Sequence, residues 1–84
     1  MLDTPRLKRL KIRSWRRGTR EMDLILGAFF DTHGGGLTPV ELDLYEEMLT
    51  ENDHDLYAWV SRKTPVPERF AALIAQIQAS RDPV

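Results

Sequence analysis

Apolar residues recur with the period of an α-helix along most of this chain. From Met22 to Phe30 they fall at i, i+3, i+4, i+7 and i+8, which predicts a helix over about residues 19–32 with one apolar face. Four other segments repeat the spacing, the first of them least regularly, and no stretch alternates like a strand. The pattern predicts an all-α fold, a small bundle of about five short helices. The apolar positions of the other segments are Leu7, Leu10 and Trp15; Leu42, Tyr45, Met48 and Leu49; Leu56, Trp59 and Val60; and Phe70, Leu73, Ile74 and Ile77.

Glycine, proline and capping residues indicate where these helices begin and end. The run Gly34–Gly36 ends the second helix, since glycine tolerates the left-handed conformation found just past helix ends. The segment Thr38–Glu41 has the pattern of a capping box with proline at the first helical position. Asn52 and Asp53 supply a cap for the fourth helix. The prolines within residues 64–67 break the chain before the last helix.

Composition limits both the size and the chemistry of the protein. The 84 residues are enough for one small helical domain, residues 1–84. The absence of cysteine excludes disulfide frameworks, thiolate zinc sites and thiol catalysis. No segment approaches the roughly 18 apolar residues of a membrane span, and the first residues lack the apolar stretch of a secretory signal. We therefore expect a cytoplasmic protein without membrane insertion.

The charge of the chain reverses at one short motif. Residues 1–20 carry eight of the 12 Lys and Arg residues and one acid, whereas residues 21–60 carry ten acids and no Lys or Arg. The segment Arg16–Glu21, with the sequence Arg-Arg-Gly-Thr-Arg-Glu, lies on this boundary. Such a position makes the motif a candidate recognition surface, although the near-neutral total argues against a protein that binds polyanions in bulk.

The motif has a structural and a functional interpretation. Structurally, it is a joint between helices: Arg16 and Arg17 lie in the last turn of the first helix, Gly18 stops that helix, and Thr19 caps the next. Glu21 then lies in the first turn of the second helix, where the helix dipole favours an acid. Functionally, the arginine offers a planar fork of donors and the glycine permits close approach, which suits a docking site. The two interpretations are compatible.

Two blocks of the sequence carry a family resemblance. Arg17, Gly18 and Glu21 match an R-G-x-x-E motif, and the segment Asp53–Trp59 matches a D-x-D-L-aromatic-x-W motif. With this spacing and length, the chain resembles the small bacterial succinate dehydrogenase assembly factors of the SdhE type and their mitochondrial counterparts. The resemblance covers about residues 6–78.

The resemblance implies a five-helix protein that is not an enzyme. It would bind the flavoprotein subunit of succinate dehydrogenase, and in some bacteria that of fumarate reductase, and promote covalent attachment of FAD to a histidine of that subunit. The flavin chemistry would belong to the client, and the factor would hold no cofactor or metal stably. The partner-binding residues implied are Arg16, Arg17, Gly18, Glu21 and Asp23, with no catalytic residue.

Several aromatic and histidine side chains invite other roles. We expect His33 and His54 to be surface residues without catalytic function, because their separation gives no metal-ligand spacing. Trp59 is expected in the core, as an aromatic residue at helical spacing usually is, and Tyr57 lies off the apolar face. Trp15 fits either the core or a docking face.

Two alternative functions stay open at this point. The basic stretch Arg6–Lys11 fits an antitoxin-like or nucleic-acid-binding regulatory module, since clustered cations release counterions from phosphate backbones. Against it stand the ten acids that follow, so nucleic acid is not the expected partner. A small enzyme using His54 with Asp53 or Asp55 is the weakest alternative, because a chain of this size has little room for an enclosed pocket.

Overall fold

A computed structural model describes residues 4–81, which contain five α-helices and no strand. This confirms the all-α prediction. The longest of the described helices has 14 residues, and none of them is both long and apolar enough to cross a membrane. One 3₁₀ turn, Gly34–Gly36, follows the second helix, and another, Glu68–Phe70, precedes the fifth. The helices are α1 Thr4–Trp15, α2 Arg20–His33, α3 Pro39–Met48, α4 Asp53–Val60 and α5 Ala71–Arg81.

The apolar faces of all five helices meet in one core. Trp59 is 8% exposed and packs beside Phe70 with ring centroids 6.0 Å apart, so its predicted core position is confirmed. Leu7, expected on the inner face of α1, is only partly buried at the edge of the core. The buried apolar residues are Leu10, Met22, Ile25, Leu26, Phe29, Phe30, Leu37, Leu42, Tyr45, Met48, Leu49, Leu56, Trp59, Val60, Phe70, Leu73, Ile74 and Ile77.

The glycine run after α2 does not use the left-handed conformation that the sequence analysis expected. Gly34 has φ −57°, in the right-handed region, and the chain continues directly into the 3₁₀ turn Gly34–Gly36. A Cβ on Gly34 would lie 2.8 Å from the ring of Phe30. Glycine is therefore required here by a close approach to an aromatic ring. The turn then delivers Leu37 into the core.

Trp15, at the end of α1, lies flat against α2. An added Cβ on Gly27 would come within 2.2 Å of the Trp15 indole, so only glycine permits this contact. The indole Nε1 donates to Asp31 Oδ2 at 3.2 Å. Trp15 is partly buried and belongs to the contact between α1 and α2.

The phenol of Tyr45 joins three helices inside the core. Its hydroxyl donates to Ser14 Oγ at 2.6 Å and lies 3.4 Å from the carbonyl oxygen of Leu26. Ser14, the one buried polar residue of the described chain, donates to the carbonyl of Leu10 at 2.7 Å. Burial raises the pKa of Tyr45 well above its usual range. The hydrogen-bonded chain thus fixes α1, α2 and α3 relative to one another.

Side-chain caps start α3 and α4. The Thr38 hydroxyl accepts from the amide of Glu41 at 3.1 Å, and the Glu41 carboxylate accepts from the amide of Thr38 at 2.8 Å, which confirms the capping box. Asn52 caps α4 by accepting from the amide of Asp55 at 2.8 Å. Arg62, just past α4, has a positive φ of 65° and takes the left-handed position usually held by glycine.

Candidate functional site

Residues 16–19 form the joint between α1 and α2, but its geometry differs from the one expected. Because α1 ends at Trp15, the expectation that Arg16 and Arg17 lie in its last turn is wrong. The expectation that Gly18 stops α1 is also wrong, since Gly18 lies three residues beyond the end of the helix and has no positive φ. Thr19 is the N-cap of α2, as predicted, and its hydroxyl accepts from the amide of Met22 at 3.2 Å.

The guanidinium of Arg17 points into the molecule. Its Nε donates to Asp53 Oδ1 at 2.7 Å, while Nη1 and Nη2 donate to the carbonyls of Leu49 and Glu51 at 2.7 and 2.8 Å. Those carbonyls follow the end of α3, where backbone acceptors lack helical partners. Only 11% of the Arg17 side chain is exposed. Arg17 therefore ties the joint to the turn between α3 and α4.

Asp53 accepts hydrogen bonds with both of its carboxylate oxygens. While Oδ1 binds Arg17, Oδ2 accepts from the amides of Gly18 and Thr19 at 2.5 and 3.0 Å. A Cβ on Gly18 would lie 3.0 Å from that same Oδ2. The carboxylate is 12% exposed and held on three sides, so it cannot yield easily. Glycine in the motif thus permits a close approach within the chain.

Asp23 completes the joint from α2. Its Oδ1 accepts from the backbone amide of Arg17, and its side chain is partly buried. This bond holds the chain just after α1 against the first turn of α2. Thus Asp23, like Arg17, contributes to the shape of the corner from within.

Glu21 has the opposite orientation. It is exposed, and it forms neither an ion pair nor a side-chain hydrogen bond with any residue of the described range. It borders a cleft of about 400 Å³ whose other walls are Thr19, Asp53, His54 and Tyr57. A carboxylate free of internal partners beside a cleft can accept donors from another molecule.

A second concavity begins on the other side of Glu21. This groove, of about 460 Å³, runs between α2 and the end of α5 and is lined in part by Leu24, Phe29 and Arg81. Leu24 is 51% exposed, one of few large apolar side chains to lie outward. Glu21 therefore stands between two concavities, with an apolar side chain one turn further along α2.

The five predicted partner-binding residues thus divide into two groups. Arg17, Gly18 and Asp23 take part in the internal hydrogen bonds, whereas Arg16 and Glu21 are exposed and unpaired among the described residues. Whether any of the five contacts a partner stays a prediction. The outward surface of Arg16, Gly18 and Glu21, together with the cleft bordered by Glu21, is called the docking corner below.

The position of the Asp53 side chain differs from the one that the sequence predicts. It was expected to cap α4, but Asn52 alone supplies that cap, and the Asp53 carboxylate turns to the joint instead. A signal existed, because Arg17 and Asp53 each begin one of the two blocks that carry the resemblance and have opposite charges. Spacing along the chain could not show that the two blocks touch.

Neither histidine lies in a metal-binding cluster, and residues 4–81 contain no group of three or more potential metal ligands. His33 is stacked on Phe29 with ring centroids 4.9 Å apart. His54 is exposed at the cleft, but both oxygens of the adjacent Asp53 are already engaged by Arg17, Gly18 and Thr19. Within residues 4–81, neither Asp53 nor Asp55 forms a hydrogen bond with His54, so neither carboxylate orients it as a base.

Comparison with known proteins gives a consistent picture. The model of a family described as the flavinator of succinate dehydrogenase matches residues 8–81. This range includes the joint, Glu21 and both blocks of the resemblance. No solved structure matches the chain.

Curated relatives include mitochondrial and bacterial proteins. The mitochondrial succinate dehydrogenase assembly factor 2 of Candida glabrata is 43% identical over 65 residues, which cover 74% of this chain and 42% of that protein. The FAD assembly factor SdhE of Acetobacter pasteurianus is 36% identical over 66 residues, which cover 79% of this chain and 61% of that protein. The chain spans about half the length of the curated relatives it matches.

Proposed function

This chain belongs to the family of succinate dehydrogenase flavinators, and on that premise we propose that it binds the flavoprotein subunit of succinate dehydrogenase and promotes covalent attachment of FAD to it. The names of the curated relatives, an assembly factor for succinate dehydrogenase and an FAD assembly factor, support this proposal. In bacteria that contain it, the flavoprotein of fumarate reductase is a second client. The cytoplasmic location of the chain itself stays a prediction.

The observation that carries the proposal is the position of Glu21. Its carboxylate has no partner in the described chain and lies between two concavities. It stands next to the joint of residues 16–19, which hydrogen bonds to Asp23 and Asp53 hold in place. A charged group on a preorganised support loses little conformational freedom on binding. Glu21 accepts hydrogen bonds from the client, and Leu24 gives apolar contact beside it.

The protein acts by position rather than by chemistry of its own. FAD supplies the electron sink when bound to the client, and the histidine that becomes attached belongs to the client. The chain holds the client in a conformation that brings this histidine and the flavin together, which is a proximity effect. Arg17 and Asp53 are positioning residues, because their contacts lie within the chain. We propose that the factor holds no cofactor stably and is not an enzyme.

No observation on the described surface favours the antitoxin-like alternative or an enzyme. Three of the five cations of α1, Arg6, Lys11 and Arg13, pair with carboxylates. Within residues 4–81, His54 forms no hydrogen bond with Asp53 or Asp55. The assembly function is therefore the single function proposed.

The test uses flavin fluorescence of the client in a denaturing gel. We expect deletion of the gene to leave the flavoprotein with little covalent flavin. Glu21→Gln should lower the affinity of the chain for the flavoprotein about tenfold, as expected for a charge in an interface, and the covalent flavin of the client should fall with it. Glu68→Gln makes the same change at another exposed position, in the 3₁₀ turn before α5, and should leave flavin attachment unchanged.

Glu21→Gln is a sharper probe than a large residue at Gly18. A side chain at position 18 meets Asp53 before it meets a partner, so Gly18→Arg mixes folding with docking. Circular dichroism and thermal unfolding should show Glu21→Gln folded as the parent. Full flavin attachment in the deletion strain would refute the proposed function.

A further inference from the structure

The outward face of α1 is basic around one apolar side chain. Lys8, Arg9 and Ile12 follow one another at spacings of one and three residues, which places them along one side of α1, and Arg16 is the first residue after the helix ends. All four are exposed, and Ile12 is 53% exposed. This face, called the basic face below, lies away from Leu10 and Ser14, which point into the core.

The structure separates the cations of the first 20 residues into two sets. Four of the eight form ion pairs within the chain: Arg6, Lys11, Arg13 and Arg17. The other four, Lys8, Arg9, Arg16 and Arg20, are exposed and pair with no carboxylate in residues 4–81. Three of those four lie on the basic face. Folding therefore leaves an unbalanced positive charge concentrated there.

A shallow groove accompanies the basic face. It has a volume of about 240 Å³ between α1 and the end of α2, with apolar walls from Leu7 and Phe30. Lys8, Lys11 and Asp31 also line it, and Lys11 pairs with Asp31 there. The unpaired cation at the rim is therefore Lys8. The groove fits an apolar side chain of a segment whose carboxylates lie against the cations of the basic face.

From these observations we propose that the basic face of α1 is a second docking surface, which binds an acidic, partly apolar segment of the flavoprotein client. The inference rests on the proposed function, because it names the same partner, but it concerns a surface that shares only Arg16 with the docking corner. The cations steer and orient the encounter. Ile12 is then buried against the partner and slows dissociation.

The surroundings of the basic face favour a protein over a nucleic acid. Asp31 pairs with Lys11 on one flank of α1, and Glu46 pairs with Arg13 on the other. These pairs limit the unbalanced positive charge to Lys8, Arg9 and Arg16, a short patch. A phosphate backbone that followed the helix beyond this patch would find no further unpaired cations on α1. The centre of the face is Ile12, where stacking on nucleobases would call for an aromatic residue or arginine. A compact acidic segment of a protein needs only this short patch, and its apolar side chain can pack against Ile12.

Association kinetics between the full chain and the purified flavoprotein subunit test the charges. We expect Lys8→Gln combined with Arg9→Gln to lower the association rate constant about tenfold at about 0.02 M NaCl. At about 0.5 M NaCl, where screening is strong, the rate constant of the double variant should approach that of the parent. The control, Arg62→Gln with Arg69→Gln, makes the same change in net charge at two exposed positions outside the basic face and outside both concavities beside Glu21. It should change the association rate less than twofold.

Ile12→Ser tests the apolar contact. Because Ile12 is already exposed in the free chain, the variant should fold normally, which circular dichroism will show. We expect its dissociation rate constant to rise about tenfold, the effect of losing one buried aliphatic side chain from an interface. The association rate should change little, in contrast to the charge variant.

Each outcome decides the inference. If the parent binds the flavoprotein and both variants match it, the basic face is not a docking surface, while the proposed function stands. If the parent does not bind the flavoprotein, the proposed function and this inference fail together. If labelled duplex DNA, an RNA hairpin or phosphatidylglycerol vesicles bind the parent at physiological salt and Lys8→Gln with Arg9→Gln abolishes that binding, the occupant is an anionic polymer or lipid, and the inference is overturned.

Discussion

At the scale of single residues, glycines decide how closely the elements of this protein approach one another. Gly18 meets the Asp53 carboxylate, Gly27 meets the Trp15 indole, and Gly34 meets the Phe30 ring. None of the three has positive φ, so each is required for space rather than for backbone conformation. Gly18 therefore has a role inside the molecule that is independent of any partner.

Gly27→Ala is expected to lower the free energy of unfolding by about 2 kcal/mol, in the range of overpacked cores. The new methyl group would lie 2.2 Å from the Trp15 indole, and the ring would have to leave its place against α2. Thermal unfolding and the fluorescence of Trp15 measure the effect. A second substitution, Trp15→Leu, should relieve part of the strain.

Gly35→Ala is the matched control for this substitution. No atom lies within 4 Å of the added Cβ, and the backbone of Gly35 has no positive φ. We expect a change of less than about 0.5 kcal/mol, or a small gain, because alanine restricts the unfolded chain. Equal losses at Gly27 and Gly35 would contradict the close-contact explanation.

At the scale of elements, caps set the beginnings of helices more reliably than glycines set their ends. Thr19, Thr38 and Asn52 all act as the N-caps that the sequence indicated. At the C-terminal ends of the helices, α1 stops before Gly18. The chain after α4 turns at Arg62, whose left-handed conformation nothing in the sequence suggested. An N-cap depends on groups within four residues, whereas these helix ends depend on what the chain packs against.

Thr38→Ala is expected to lower the free energy of unfolding by about 1 kcal/mol, the usual cost of losing an N-cap. The hydroxyl that accepts from the amide of Glu41 disappears, and that amide must turn to water. Chemical denaturation at neutral pH measures the loss. Thr38→Ser keeps the hydroxyl and should keep nearly all of the stability, and a loss as large as that of Thr38→Ala would contradict the capping assignment.

The capping box also gives the fold an acid-sensitive contribution. The hydrogen bond from the Thr38 amide lowers the pKa of Glu41 below its usual value, and Gln76 adds a second bond. A carboxyl group with a lowered pKa in the folded state stabilises the fold above its unfolded pKa, and this stabilisation is lost as pH falls through the folded pKa. Glu41→Gln should therefore show a smaller loss of stability on acidification than the parent.

At the scale of the whole molecule, the Arg17–Asp53 pair connects parts that are far apart in sequence. Their bonds join the α1–α2 joint to the turn between α3 and α4, across 36 residues. Both side chains are nearly buried, so each needs the other to satisfy its charge. The pair thus holds the docking corner in shape while leaving Glu21 to face outward.

Asp53→Asn is expected to destabilise the fold by about 3 kcal/mol, since it leaves the Arg17 guanidinium without its counter-charge in a mostly buried place. Flavin attachment in the client should fall as well, because the corner that supports Glu21 loosens. Urea denaturation and in-gel flavin fluorescence give the two readouts.

Asp55→Asn is the matched control for this variant, in the same helix and with the same chemical change. Asp55 contacts the Asn52 cap at the surface and makes no contact with Arg17. We expect a loss of no more than about 0.5 kcal/mol, typical of surface substitutions. If both variants lost equal stability, the Arg17–Asp53 pair would not be the cause.

The sequence by itself determined the helical class, the faces of the helices that form the core, the N-caps and the family. The first three of these features depend on the spacing of residues and on neighbours within a few positions, and the family is recognised from its sequence motifs. Tertiary structure decided which charges stay free. The Arg17 side chain points inward to Asp53, whereas Glu21 and the basic face of α1 point outward. An ion pair forms only between side chains that folding brings close together. The number of residues between two side chains in the sequence does not determine the distance between them in the folded protein.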